Sequence, residues 1–163
     1  VRDRIPNATL LLAGEGPLRG AVEAQISESG LSHAVHLLGM RSDVPRLMTC
    51  SDVLLFPSFH EGLPVVYLEA CGCSLPLVGS DIAGTHESIV NGKTGLLHTV
   101  DDEHGMAASV VELLSNPQRA EAIRAAATER IETQFSRAAS ALALTRLYED
   151  TLHLSRARIQ RAA

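Results

Sequence analysis

Short apolar runs alternate along the chain with longer stretches of helical spacing, and polar or glycine-containing breaks separate them. Thr9–Ala13, Val35–Leu38, Asp52–Phe56, Ser74–Ser80 and Leu96–His98 have the length and composition of strands. Leu18, Val22 and Ile26 share one face of a helix expected from about Leu18 to Ser29, which Gly30 can close with a left-handed cap. A second helix is expected over Val44–Cys50, with Pro45 in its first turn and Ser42 or Asp43 as its cap. Thr85–Val90 reads as a short helical piece before the Asn91-Gly92 turn. Asp101-Asp102 start a helix running to about Ser115, with Met106, Val110, Leu113 and Leu114 in register. Asn116-Pro117 breaks the pattern, and Gln118 to about Gln134 is an alanine-rich helix. Ser136 caps a last helix that offers Ala139, Leu142, Leu147, Leu152 and Leu154 for burial.

Strands alternating with helices at short spacing imply a parallel sheet wrapped on both faces, a Rossmann-like α/β fold. Ligands of such sheets sit at the carboxyl ends of the strands. The loops after the first three predicted strands therefore carry the candidate chemistry. The richest stretch is Pro57–Cys73, PSFHEGLPVVYLEACGC. Pro57-Ser58 stops a buried strand, and Pro64 suits a first helical position, where its missing N–H costs nothing. A helix starting there aims unpaired N–H groups and the positive end of its dipole at the loop, which makes a phosphate site. Two carboxylates bracket it: Glu61 in the loop, and Glu69 about a turn and a half into the helix at ~3.6 residues per turn. Carboxylates repel phosphate but accept hydroxyl hydrogen bonds well, so a ribose on one side and a sugar on the other are natural partners. The pattern points to a nucleotide sugar with its pyrophosphate over the helix end. The same spacing also serves a loop glutamate and a solvated helix glutamate on any α/β protein.

At 163 residues the chain amounts to one domain with one substantial core. A net charge of −5 speaks against a general nucleic-acid binder. No apolar run approaches the ~20 residues that span a bilayer, and the start has no leader-like pattern. Val1-Arg2-Asp3-Arg4-Ile5-Pro6 reads as the end of a helix, as in a fragment of a longer protein. Cys50, Cys71 and Cys73 leave an odd count and no disulfide framework, which fits a reducing compartment, the cytoplasm. Cys71 and Cys73 lie two apart on a helix and point in different directions, and the histidines lack the pairing of a zinc protease. No metal site is expected. The turn Gly14-Glu15-Gly16 misses the dinucleotide fingerprint, whose third glycine falls on Arg19.

Glu61 and Glu69, in the setting PSxxEGLPxxxLEA, resemble the paired-glutamate motif of the retaining GT-B glycosyltransferases of family 4, also called glycosyl transferases group 1. These include relatives of glycogen synthase, sucrose synthase and the bacterial mannosyltransferases. The flanks agree in order: Gly14-Glu15-Gly16-Pro17-Leu18, Leu38-Gly39, Asp52-Val53, Pro76-Leu77-Val78, Asp81-Ile82-Ala83-Gly84 with Glu87, and Asn91–Leu97. The resemblance runs from about Ile5 to Leu114. Ser74 departs from it, standing where the family has the glycine of a tight left-handed turn.

The resemblance implies that residues 1–163 are the donor-binding, carboxyl-terminal half of a GT-B enzyme. Such an enzyme moves a sugar from a UDP- or GDP-type nucleoside diphosphate to an acceptor hydroxyl. Residues 136–163 would be the C-terminal helix that returns towards the acceptor domain, and that domain and the first strand would lie outside the chain. Glu61 would hold the transferred sugar at the catalytic position, and Glu69 the ribose. Backbone amides around Gly62, Leu63, Val65 and Val66 would meet the diphosphate. The backbone at Arg41 would read the base, and Gly16 would face the cleft. No metal or other cofactor is implied. Nothing in residues 1–8 matches the Arg and Lys that the family sets against the diphosphate, so the isolated chain is expected to be inactive and to bind nucleotide weakly. Arg156, Arg158 and Arg161 give the last helix a basic end, which suits its dipole and in the full protein could touch an anionic membrane surface. Two other readings stay open: a non-catalytic GT-B half serving as a binding module, and a sugar-nucleotide epimerase.

Overall fold

Each short apolar run becomes a strand: β1 (Leu10–Ala13), β2 (Val35–Gly39), β3 (Leu54–Phe56), β4 (Leu77–Ser80) and β5 (Leu96–His98). All pairings are parallel. The computed structural model describes the backbone of residues 1–162 and side chains through His153. The expected continuous sheet is divided. β1 pairs with β2, and β4 lies between β3 and β5, but no described strand bridges β1 and β3. Burial follows from the pairing. β4 has a neighbour on both edges and is buried at every position. β1 and β3 each lack one neighbour and leave Leu11 and Leu55 exposed.

Between the strands run α1 (Arg19–Glu28), α2 (Val44–Thr49), α3 (Val65–Gly72) and α4 (Thr85–Ser88). After β5 come α5 (Glu103–Ser115), α6 (Pro117–Arg130), a turn of π-helix at Ile131–Phe135, and α7 (Arg137–Ala162). Period-two alternation sorts the core. Val78 and Leu96 meet Met106, Val110 and Leu113 of α5 with Ile123 of α6 on one face. Leu77 and Leu97 meet Tyr67 and Cys71 of α3 on the other. A smaller cluster, Met48, Ala70 and Leu75, joins α2 to α3.

The expected caps mostly form. Ser136 Oγ accepts from the Ala139 N–H at 3.1 Å, and Asp102 Oδ1 from the Gly105 N–H at 2.8 Å. Asn116 caps α6 and leaves Pro117 inside its first turn, so the pair starts a helix as well as ending one. Three details differ from the sequence reading. Asp43 stands at the cap position of α2 without capping it, because its carboxylate turns to Arg41. Pro64 precedes the first helical residue, Val65. Leu18 is 70% exposed, and α1 buries no residue.

The apolar side of α7 is uncovered: Leu142, Leu147 and Leu152 are all more than half exposed. They are therefore not buried within this chain. The side chains of Leu154, Arg156, Arg158 and Arg161 lie outside the described residues. No described helix is long and apolar enough to cross a membrane.

Ser74 adopts the left-handed turn that its position demands, with φ 53°. It is the one non-glycine with positive φ among the described residues. Ser74→Gly is expected to stabilise the fold by roughly 0.5–1 kcal/mol, since release of the Cβ strain outweighs the added freedom of the unfolded chain. A raised urea midpoint with an unchanged slope is the check.

Candidate functional site

The loop from Pro57 to Pro64 carries β3 into α3. Ser58 Oγ donates to Glu61 Oε1 at 2.8 Å, so this carboxylate is held within its own loop. Glu61 is half-buried and Glu69 is exposed on α3, whose other side buries Tyr67, Ala70 and Cys71. No side chain caps α3. Its first amides, Val65 and Val66, have no intrahelical partner and open towards the loop. Glu61 therefore lies in the loop just before the uncapped end of α3, and Glu69 lies exposed within α3.

Two glycines make this arrangement possible. Tyr67 is fully buried beneath the loop, its ring edge-on to Phe56 with centroids 5.3 Å apart. Its hydroxyl donates to the Phe56 carbonyl at 3.3 Å. Burial pushes the phenol up to about 12, so it serves as structure and not as a base. Gly79 on β4 lies so close that any Cβ there would collide with the Tyr67 hydroxyl. Gly84, just before α4, lies against the loop itself: a Cβ there would collide with the carbonyl oxygens of Glu61 and Gly62. The turn that carries Gly84 is anchored in its own right. Thr85 Oγ1 donates to the Ile82 carbonyl at 2.7 Å, and the Asp81 N–H donates to the His98 carbonyl on β5 at 2.6 Å.

The loops after β1 and β2 carry the remaining candidate residues. The Gly14 N–H donates to the Gly39 carbonyl at 2.8 Å, and the Glu15 carboxylate, paired with Arg19 at 2.5 Å, lies over Gly39. A cavity of about 340 Å³ opens here, lined by Leu12, Gly14, Gly16, Leu18, Val22 and Leu37 among others. Arg41 is engaged by Asp43 through both carboxylate oxygens, at 2.8 and 2.7 Å. This hydrogen-bonded pairing raises the Arg41 pKa and lowers that of Asp43. Among the described residues no hydrogen bond joins these loops to the Glu61 loop. Arg2 donates to the Ala8 carbonyl at 2.5 Å, near the amino end of β1 and away from the carboxyl-end loops.

Cys71 is buried, and desolvation pushes its thiol up to about 11. Among the described residues no three His, Cys, Asp or Glu side chains gather as metal ligands would. Two side-chain contacts, one in the Glu61 loop and one on α4, were not read from the sequence. Ser58, three residues before Glu61, is close enough to have been read as a partner. Arg130 reaches the Glu87 carbonyl on α4 across 43 residues of chain, and no local pattern announces it.

A family model described as glycosyl transferases group 1 matches residues 1–116. The chain is 31% identical over 145 residues to the glycogen synthase of Mycobacterium tuberculosis, covering 88% of this chain and 35% of that protein. It is 31% identical over 132 residues to the GDP-mannose-dependent alpha-(1-6)-phosphatidylinositol monomannoside mannosyltransferase of Mycolicibacterium smegmatis, covering 76% of this chain and 35% of that protein. The chain spans little more than a third of the length of either relative. Among solved structures, Anabaena HepE in complex with UDP-glucose matches with a TM-score of 0.74 and 25% identity, over 93% of this chain and 43% of the other.

Proposed function

Because the chain belongs to the group 1 glycosyltransferases, we propose that it is the donor-binding, carboxyl-terminal domain of a retaining enzyme that moves a sugar from a nucleoside diphosphate to an acceptor hydroxyl. The observation that carries the proposal is the loop before α3: Glu61 held by Ser58, directly ahead of uncapped helix amides, with Glu69 exposed beyond them. In this reading Glu61 binds the transferred sugar and Glu69 the ribose. Amides around Gly62, Leu63, Val65 and Val66 receive the diphosphate. Gly16 faces the cleft, and the backbone at Arg41 reads the base. Catalysis is then mostly positioning and stabilisation of the charge on the leaving diphosphate, and no metal or cofactor has a part in it.

The strand pairing supports a domain that continues beyond the chain. The order β2–β1, then β3–β4–β5, matches the two flanks of a doubly wound 3-2-1-4-5-6 sheet whose central strand lies outside residues 1–163. With that strand, the acceptor domain and the basic groups opposite the diphosphate elsewhere, the isolated chain is inactive and binds donor weakly. UDP and GDP donors both suit the proposal, given the UDP-glucose bound by HepE and the GDP-mannose dependence of the mannosyltransferase.

Titration of the chain and of the full-length protein with UDP, GDP and ADP, beside Glu69→Ala, tests the proposal. One nucleotide is expected to bind saturably, and Glu69→Ala to weaken it by about tenfold or more, the value of a lost charged hydrogen bond. Absence of binding in the full-length protein would sink the proposal. Product analysis then separates the rivals: isomerised sugar without an acceptor marks an epimerase, and neither transfer nor donor hydrolysis marks a binding module.

A further inference from the structure

We infer that Arg130 is a positioning residue for the donor site: it fixes α4 from behind, and α4 fixes the loop that carries Glu61. The inference rests on the proposed donor site. Arg130 closes α6 and points its guanidinium at the end of α4. Nε donates to the Ser88 carbonyl at 3.0 Å and Nη2 to the Glu87 carbonyl at 2.7 Å. The guanidinium carbon stands 5.6 Å from the centre of the Phe135 ring, which the π-turn after Arg130 brings beneath it.

A helix of four residues does not hold itself together. Its terminal carbonyls have no intrahelical partners, and the negative end of its dipole favours a cation. Arg130 supplies both with a planar fork that a lysine cannot copy. Within α4, Ser88 Oγ donates to the Thr85 carbonyl at 3.1 Å, and Thr85 is fully buried. At the leading end Gly84 touches the backbone of Glu61 and Gly62 with no side chain between. Every link from Arg130 through Glu87 and Ser88 to Gly84 and on to Glu61 is a hydrogen bond or a direct contact. The segment is therefore a short strut with one end on Arg130 and the other on the loop.

The test compares Arg130→Ala and Arg130→Lys with wild type in the full-length enzyme. Backbone amide order parameters at Gly62 and Leu63 are read together with melting temperature, nucleoside affinity and transfer kinetics. Arg130→Ala is expected to lower the order parameters at Gly62 and Leu63 and to lower kcat/KM for the nucleotide sugar by about tenfold. Affinity for the nucleoside, which reaches neither Glu61 nor the amides that receive phosphate, stays at the wild-type value. Arg130→Lys falls between, and added methylguanidinium restores part of the alanine variant's activity. Unchanged loop order parameters and kinetics overturn the inference. So does an equal loss across every ligand that follows the melting temperature, which marks general destabilisation. If wild type binds no nucleotide, the proposed function fails by itself, and the order parameters at Gly62 and Leu63 still decide whether Arg130 controls the loop.

Discussion

Replacement of Gly84 by alanine is expected, on the proposed function, to cut sugar transfer by the full-length protein about 100-fold while leaving it folded. The backbone at Gly84 has φ −68° and ψ −20°, a conformation open to any residue. The cost is therefore contact and not strain. The new Cβ would collide with the carbonyl oxygens of Glu61 and Gly62 and come within 2.8 Å of the Gly62 carbonyl carbon. These are backbone atoms and cannot rotate away as the end of a side chain can. One of two segments must move. The α4 side is anchored by buried Thr85 and by Arg130, whereas Gly62 and Leu63 are exposed and packed less firmly. The loop moves, and with it the carboxylate of Glu61. Donor titration beside thermal unfolding is the check. The expected pattern is a large loss of binding and turnover with an overpacking cost of only about 1–3 kcal/mol in stability. Wild-type affinity in Gly84→Ala would mean that the loop finds its position without this contact.

The elements that build the site were readable because their signals are local. A run such as Leu54-Leu55-Phe56 between polar breaks reads as a strand by its length and flanks, and Asp102 and Ser136 announce helix starts through hydrogen bonds that span three residues. Ser74 was readable as a strained turn only through the resemblance, which sets a glycine at its place. What the sequence could not show depends on distant partners. Whether β1 and β3 share a sheet depends on what lies between them, not on either run. The amphipathic pattern of α7 marks a face to be covered, yet the cover is not in the described residues and Leu147 stays 60% exposed. Asp43 read as a cap for α2, yet it serves equally as an ion partner for Arg41 two residues back, and the structure chooses the second. Gly84 read as a turn residue, while its present reason is the nearness of a loop more than twenty residues earlier.

Gly79→Ala is expected to destabilise the protein by about 3 kcal/mol, the upper end of overpacking. That corresponds to a fall in melting temperature of about 6–12 °C for a chain of this size. Gly79 lies on β4, the one strand buried at every position, so the backbone around it has nowhere to relax. A Cβ there would meet the Tyr67 hydroxyl, stand 2.9 Å from the ring carbon that bears it, and stand 3.2 Å from the Phe56 carbonyl oxygen. The ring cannot turn aside, because Tyr67 is fully buried and Phe56 closes one side. The large residue on α3 and the missing side chain on β4 are thus one packing solution. That claim has a sharp consequence in a double-mutant cycle. Tyr67→Leu alone costs stability by opening a cavity, but it removes the hydroxyl and ring edge that the new methyl would strike. In the Gly79→Ala, Tyr67→Leu double variant the two changes should offset each other, with a coupling of about 1–3 kcal/mol in urea unfolding. Simple additivity would show that the methyl is accommodated elsewhere and that Tyr67 does not require Gly79. A large coupling would also tie this packing to the base of the Glu61 loop. The same ring that fills the space over Gly79 hydrogen-bonds the carbonyl of Phe56, the last residue of β3 before the loop begins.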